Sequence, residues 1–158
     1  MAQDHTIAEK VAALQQVYSL LGGRRVLSHE PTTRLEIHEL LLEGLPSQAV
    51  GCLVESFELL RQPDAIEAAL GISYRTIQRH RLDAAKHLSL EQSGRVWEFA
   101  ELLARATSVL GSRQEAQQWL LRPAIALEQR RPLDLMSTSE GRRMVEELLD
   151  RLEFGVYT

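Results

Sequence analysis

Short helix-forming segments follow one another along almost all of this 158-residue chain, and most of them carry their own start and stop signals. Apolar residues recur every three or four positions, which places them on one face of an α-helix. A Ser or Thr followed three residues later by Glu or Gln, the pattern of a capping box, precedes four segments. Because no segment alternates apolar and polar residues for long enough to predict a strand, we expect an all-α, compact multi-helix fold of about eight helices. The four capping pairs are Thr33 and Glu36, Ser89 and Gln92, Ser112 and Glu115, and Ser137 and Glu140.

The first segment carries an apolar stripe that ends at Gly22-Gly23. We interpret residues 1–61 as an N-terminal helical region that forms a homodimer through this stripe. The break at Gln62-Pro63 supports the end of that region, and residues 62–96 and 97–158 are predicted to form two further regions. The stripe consists of Ile7, Val11, Leu14, Tyr18 and Leu21.

Composition argues against a membrane or secreted protein. Uninterrupted apolar runs span only a few residues, far fewer than the roughly 20 that cross a bilayer. Asp4 and Glu9 lie in an N-terminal segment that lacks a secretory pattern. The single cysteine, Cys52, cannot form an internal disulfide. We therefore expect a cytoplasmic protein with no membrane partner.

No catalytic or metal-binding pattern is found in the sequence. The histidines lack metal-ligand spacing with cysteine or carboxylate residues, and there is no phosphate-binding loop, nucleophile elbow or Ser-His-Asp pattern. We expect no enzymatic activity, no cofactor, no metal and no small-molecule substrate. For His80 and His87, contact with solvent or phosphate is the expected role. The five histidines are His5, His29, His38, His80 and His87.

Residues 63–82 have the anatomy of a helix-turn-helix. Gly71 stands where the turn needs a left-handed backbone, and Ile72 is predicted to fill the corner between the two helices. Ser73 is placed to cap the second helix, and Ile77 to pack back onto the first. Glu67 departs from the motif, which usually has a small residue at that position.

The second helix is basic, in a chain whose net charge is −4. Residues 73–87 carry four cations and one carboxylate, a local net charge of +3. Such a helix fits the DNA major groove, where Arg reads guanine, Gln reads adenine and Thr contacts phosphate or a thymine methyl. The alternative is a plain helical hairpin with solvated arginines. The predicted contacts to operator DNA are Ser73, Tyr74, Arg75, Thr76, Gln78, Arg79 and Arg81.

The last segment is an amphipathic helix with an unusual end. It stops at Gly155, and an apolar-aromatic stub follows it, whereas chain ends are normally polar and frayed. Tyr157 combines a large apolar body with a hydrogen-bonding tip, which suits an interface. Residues 138–158 also carry a net charge of −2, so a second, different partner is expected. The alternative is that the tail folds back on its own protein. The predicted partner-binding residues are Glu153, Phe154, Gly155, Val156, Tyr157 and Thr158.

Taken together, several motifs between about residue 62 and the C-terminus resemble the Xre/MbcA/ParS-type antitoxins, the partners of RES-domain toxins. The C-terminal half of this resemblance is the more specific, because helix-turn-helix motifs are widespread. The motifs are Leu70-Gly-Ile-Ser-Tyr-Arg-Thr-Ile-Gln-Arg, Leu88-Ser-Leu-Glu-Gln-Ser-Gly-Arg-Val, Ala116-Gln-Gln-Trp-Leu, Arg122-Pro, Arg131-Pro-Leu-Asp-Leu, Thr138-Ser-Glu-Gly and Glu153-Phe-Gly-Val.

The resemblance implies a homodimeric antitoxin that binds a RES-domain toxin and represses the operon they share. RES toxins are similar to ADP-ribosyl-transferring folds and degrade NAD⁺, and in the family the antitoxin's C-terminal region covers the NAD⁺ pocket. Residues 153–158 would then be toxin-binding residues. Two departures stand out: Glu128 and Gln129 replace a glycine-containing turn, and Met136 replaces a leucine.

Residues 131–135 and the Trp119-Leu120 pair are predicted to have structural roles, the former as a fixed connector and the latter at a chain reversal before Pro123. Two other functions stay open. One is a stand-alone repressor whose C-terminal helices only dimerise, and the other is a helical adaptor that binds protein and no DNA.

Overall fold

The computed structural model describes residues 2–83 and 85–155, and within those residues it contains eight α-helices and no β-strand. The all-α prediction is confirmed. No helix in this part of the chain is both long and apolar enough to cross a bilayer. The helices are α1 (Ala2–Leu20), α2 (Arg34–Glu43), α3 (Gln48–Ser56), α4 (Pro63–Leu70), α5 (Tyr74–Leu82), α6 (Leu90–Leu110), α7 (Arg113–Leu121) and α8 (Ser139–Glu153). Short 3₁₀-helices lie at Gly23–Arg25, Glu58–Arg61, Ile125–Leu127 and Pro132–Leu135.

Three of the four predicted helix starts are confirmed. Complete capping boxes form at Thr33 and Ser89, where each side chain accepts the amide three residues on and Glu36 or Gln92 accepts in return. The Ser112 side chain accepts from the Glu115 amide and caps α7. Each cap satisfies an amide that the first helical turn leaves without an internal partner.

The fourth prediction, Ser137 as the cap of α8, is wrong by one residue. Thr138 is the cap, and its side chain accepts from the Gly141 amide at 3.0 Å. The shift follows from close packing at the helix start, because a Cβ added at Gly141 would lie 1.9 Å from the Leu135 carbonyl oxygen. The 3₁₀-helix that ends at Leu135 therefore determines where α8 can begin.

Helix α6 is the centre of the fold and packs against α1, α2, α4, α7 and α8. Its side chains Phe99 and Leu103 are fully buried, as are Phe57 and Leu133 from elements on either side. A continuous core joins the N-terminal and C-terminal halves, so the candidate DNA-binding helix and the C-terminal helix are attached to the same support. The division into three regions remains a prediction.

Two of the five residues in the predicted apolar stripe of α1 are left uncovered. Leu21 is buried, and Leu14 and Tyr18 are partly buried against the core, but Ile7 and Val11 are 60% and 45% exposed. Every residue from 6 to 13 is exposed. The exposed end of the stripe is consistent with self-association, which stays a prediction.

Candidate functional site

Helices α4 and α5 form the predicted helix-turn-helix. Gly71 adopts φ +64°, the left-handed conformation that glycine takes without steric cost. Ile72 and Ile77 are both buried, at 5% and 3% exposure. The Ser73 side chain caps α5 by accepting from the Thr76 amide at 3.2 Å. The sequence therefore correctly predicted the left-handed turn at Gly71, the packing of Ile72 in the corner between the helices and the cap at Ser73.

Glu67 has a role that the motif comparison missed. Its Oε1 accepts the backbone amide of Tyr74, the first residue of α5, at 2.7 Å. Amides at a helix start lack internal partners and carry the positive end of the helix dipole, so a carboxylate is favourable there. The acidic residue that departs from the usual pattern thus joins Ser73 in holding the start of α5.

The side chains predicted to contact DNA fall into two groups. Ser73 donates its hydroxyl hydrogen to Thr76 Oγ1 at 2.8 Å, so these two hydroxyls bond to each other at the start of the helix. Tyr74 and Thr76 are partly buried. The other four side chains are exposed and form no ion pair or side-chain hydrogen bond with another described residue. These four are Arg75, Gln78, Arg79 and Arg81.

The opposite side of α5 is held to the segment before α3. Ser47, which is fully buried, donates its hydroxyl to the Lys86 carbonyl at 2.7 Å and so accepts from His80 Nδ1 at 3.0 Å. His87 Nδ1 likewise donates to the Gly44 carbonyl at 2.8 Å. Both imidazoles thus make structural hydrogen bonds, rather than only the solvent or phosphate contacts predicted for them.

Helix α8 presents a polar, mostly exposed face and a buried apolar face. Val145 and Leu149 are fully buried against the core, whereas Met144 is 44% exposed. The apolar residues of this helix therefore face inward only in part. An ion pair between Arg142 Nη1 and Glu98 Oε2, 2.5 Å apart, ties the first half of α8 to α6.

The end of α8 carries the residues predicted to bind a partner. Glu153 is the last helical residue, and Arg105 on α6 bonds both to Glu153, at 2.9 Å, and to Asp150. The next residue, Phe154, is 75% exposed, a large apolar group in water. Gly155 has φ +69° and turns the chain. The remaining predicted residues, Val156, Tyr157 and Thr158, lie outside the described residues.

Residues 131–135 form the fixed connector that was predicted. Pro132–Leu135 is a 3₁₀-helix, and Leu133 is 1% exposed. Arg131 and Asp134 form a bidentate ion pair, in which Nε and Nη2 of Arg131 donate to Oδ2 and Oδ1 of Asp134 at 2.8 and 2.7 Å. These bonds lower the pKa of the Asp134 carboxyl below its usual value. The connector packs on α4, α7 and α8 and therefore joins the two candidate sites.

Arg95 reinforces that junction, and no sequence pattern pointed to it. Its guanidinium donates to the carbonyls of Met136 and Ser137, at 3.1 and 3.3 Å, just before α8. The same group passes so close to the helix-turn-helix that a Cβ at Gly71 would lie 2.8 Å from Arg95 Nη2. Because these partners lie more than 20 residues away in the chain, local spacing carries no sign of them.

The departure at Glu128 and Gln129 gives a left-handed turn without glycine. Both residues have positive φ, 54° and 65°. The Gln129 amide donates to the Ala124 carbonyl at 2.9 Å, and the Ala124 amide donates to the Arg130 carbonyl at 3.1 Å. The turn that glycine would form easily is therefore closed by backbone hydrogen bonds around two strained residues.

The described residues contain no group of three or more His, Cys, Asp or Glu side chains arranged to hold a metal ion. Two surfaces combine predicted binding residues with exposed side chains: the basic side of α5 and the end of α8 with Phe154.

Comparison with known proteins connects the second surface to a defined class of protein. Residues 105–155 match the family described as antitoxin Xre/MbcA/ParS C-terminal toxin-binding domain. The matched region starts at Arg105 and includes α7, the connector and α8 up to Gly155.

Three curated relatives extend the similarity over most of the chain, and each is called antitoxin Xre. The relative from Pseudomonas putida is 26% identical over 126 residues, which cover 80% of this chain and 76% of that protein. The relative from Yersinia enterocolitica is 27% identical over 147 residues, which cover 83% of this chain and 99% of that protein. The relative from Photorhabdus laumondii is 26% identical, with 76% of this chain and 80% of that protein covered.

The fold and the matched domain define an all-α protein with the toxin-binding domain of an antitoxin. With the relatives, they confirm the resemblance seen in the sequence to the Xre/MbcA/ParS-type antitoxins.

Proposed function

We propose that this antitoxin neutralises a RES-domain toxin by covering its NAD⁺ pocket with the end of α8, and that it represses its own operon through α5. The proposal that the end of α8 binds the toxin rests on the exposure of Phe154, an aromatic residue that is 75% exposed at the end of the toxin-binding domain. Exposed aromatic anchors dominate binding energy when a partner buries them.

The acidic charge of α8 supports the same surface. A pocket that accepts a dinucleotide presents positive groups to phosphates, and a negative helix end complements such a pocket. Glu153 is bound to Arg105, so its carboxylate is already oriented before the partner arrives. In this proposal Val156, Tyr157 and Thr158 also contact the toxin.

Operator binding is supported by the free cations of α5. Arg75, Arg79 and Arg81 are exposed and form no ion pair with a described residue. They are therefore available to phosphates and base edges without first breaking internal contacts. Because the monomer has a net charge of −4, two copies of α5 in a homodimer would supply the phosphate contacts that one copy lacks. The exposed Ile7 and Val11 of α1 support such a dimer.

The test is co-expression of this chain with the product of the adjacent gene, followed by purification through a tag on one partner and an assay of NAD⁺ loss. We expect a stable complex in which NAD⁺ loss is suppressed. Deletion of residues 156–158 and Phe154→Ala should each weaken neutralisation while the free chain keeps its helical content. If nothing co-purifies and the neighbour consumes no NAD⁺, the proposal fails, and a stand-alone repressor becomes the leading account.

A further inference from the structure

Arg105 occupies a special position between α6 and the end of α8. Its guanidinium reaches two carboxylates on successive turns of α8, Asp150 and Glu153. Partial burial lowers the pKa of the Arg105 guanidinium, but its hydrogen bonds to these carboxylates, together with their negative charge, outweigh that effect and raise the pKa. The arginine thus holds the last turn of α8, immediately before the exposed Phe154.

That last turn needs external support. The C-terminal end of a helix is the negative end of its dipole, so carboxylates placed there repel it and favour fraying. Asp150 and Glu153 are two such carboxylates, and Arg151 is the only cation that α8 itself supplies in that turn. The backbone bond from the Phe154 amide to the Asp150 carbonyl, 3.0 Å long, closes the turn. A cation from a different helix therefore offsets the unfavourable charge of this end.

We infer that Arg105 is a positioning residue for toxin binding: it keeps the last turn of α8 ordered in the free protein, so that Phe154 is presented in its binding geometry. The inference rests on the proposed function, because it assigns the toxin-binding surface to the end of α8. A partner that meets an ordered segment does not have to offset the entropy of ordering it. The gain should appear mainly in a slower dissociation of the complex.

The experiment compares four forms of the full chain. They are the unaltered protein, Arg105→Ala, Arg105→Ala combined with Asp150→Asn, and Arg142→Ala. The last is the matched control, since it breaks the other α6–α8 ion pair, with Glu98, near the opposite end of the helix. The readouts are thermal unfolding, amide hydrogen exchange of residues 150–155 in the free chain, and the dissociation rate from the purified toxin.

We expect Arg105→Ala to speed dissociation about tenfold and to speed exchange at residues 150–155 by a similar factor. Asp150→Asn in the same chain should recover most of both effects, because it removes part of the repulsion that Arg105 offset. Arg142→Ala should leave both readouts close to those of the unaltered protein, although its side chain is the less exposed of the two arginines.

Two outcomes would overturn the inference while the proposed function stands. In one, Arg105→Ala binds the toxin as the unaltered protein does. In the other, it binds poorly, exchange at residues 150–155 is unchanged and Asp150→Asn gives no recovery, which would make Arg105 a direct contact. Failure of the unaltered chain to bind the toxin would instead overturn the proposed function and this role together.

Discussion

Helices α5 and α8 are both amphipathic, both begin at a Ser or Thr cap, and both rest on the same core, yet they use their charges in opposite ways. On α5 the arginines at 75, 79 and 81 are exposed and unpaired among the described residues. On α8 the cations Arg142 and Arg143 and the carboxylates of the last turn form ion pairs. The charges of α5 are thus left exposed, whereas those of α8 form ion pairs within the fold.

The difference matches the chemistry of two kinds of partner. Phosphates attract free cations at long range, and displaced counterions supply much of the affinity. A protein surface gains more from a rigid apolar anchor in a fixed position. A helix of each kind on one core is what an antitoxin that also binds operator DNA requires, in the function proposed above.

The largest effect is expected from removing the free charges of α5. Arg75→Ala with Arg79→Ala should reduce operator affinity about a thousandfold, since each base or phosphate contact contributes about 2 kcal/mol. The measurement is a mobility-shift titration at fixed salt, accompanied by circular dichroism. Arg122→Ala, which removes an exposed arginine outside α4 and α5, is the control and should bind DNA normally. Unchanged binding by the double variant would remove α5 from the DNA interface.

The packing of α8 on the connector should be disrupted by a side chain at Gly141. Gly141→Ala would place a methyl group 1.9 Å from the Leu135 carbonyl oxygen, so the free energy of unfolding should fall by about 3 kcal/mol. Denaturant titration measures the change. Gly94→Ala is the matched control, because a Cβ at Gly94, also in a helix, meets nothing within 4 Å. That variant should be neutral or more stable, by up to about 1 kcal/mol. Equal stability of both alanine variants would contradict the close packing of α8 on the connector.

The turn that leads to the connector should become more stable with glycine. Gln129→Gly removes the steric cost of φ +65° and should raise the free energy of unfolding by about 1 kcal/mol. Gln118→Gly makes the same chemical change at an exposed position in the interior of α7 and should instead lower the free energy of unfolding by about 1 kcal/mol. Thermal denaturation of the pair distinguishes the two signs. Destabilisation by both changes would mean that Gln129 does not adopt the left-handed conformation in solution.

The smallest expected effect is on the pH dependence of stability, through His80 on the side of α5 that faces Ser47. Burial, with the nearby charges of Lys86 and Arg79, lowers the pKa of His80 below its usual value. The unfolded chain therefore binds a proton at His80 before the folded chain does, so stability should fall as the pH drops from about 7 towards 5. His80→Asn, which retains a donor for Ser47, should flatten that part of the curve. If stability varies with pH in His80→Asn as it does in the unaltered protein, the dependence arises from another titratable group.

The sequence predicted features that lie within one or two helical turns. The caps at Thr33, Ser89 and Ser112 were correct, because each depends on residues three positions apart. The helix-turn-helix was also correct, since Gly71 and its neighbours settle the turn locally. Ser137 failed as a cap because the start of α8 depends on contact with a different element.

The tertiary structure alone decided which charges are free and which are used. Arg105 and Asp150 are 45 residues apart, and Arg95 and Met136 are 41 apart, so no local spacing distinguishes these arginines from the free ones at 75 and 79. The sequence by itself determined an all-α chain, the starts of α2, α6 and α7, a basic central helix and an apolar tail. Packing around α6 determined that the end of α8 is held and that the outer side of α5 is left open. The physical reason is that helix formation and capping are local, whereas the pairing of charges depends on which helix faces bury apolar surface together.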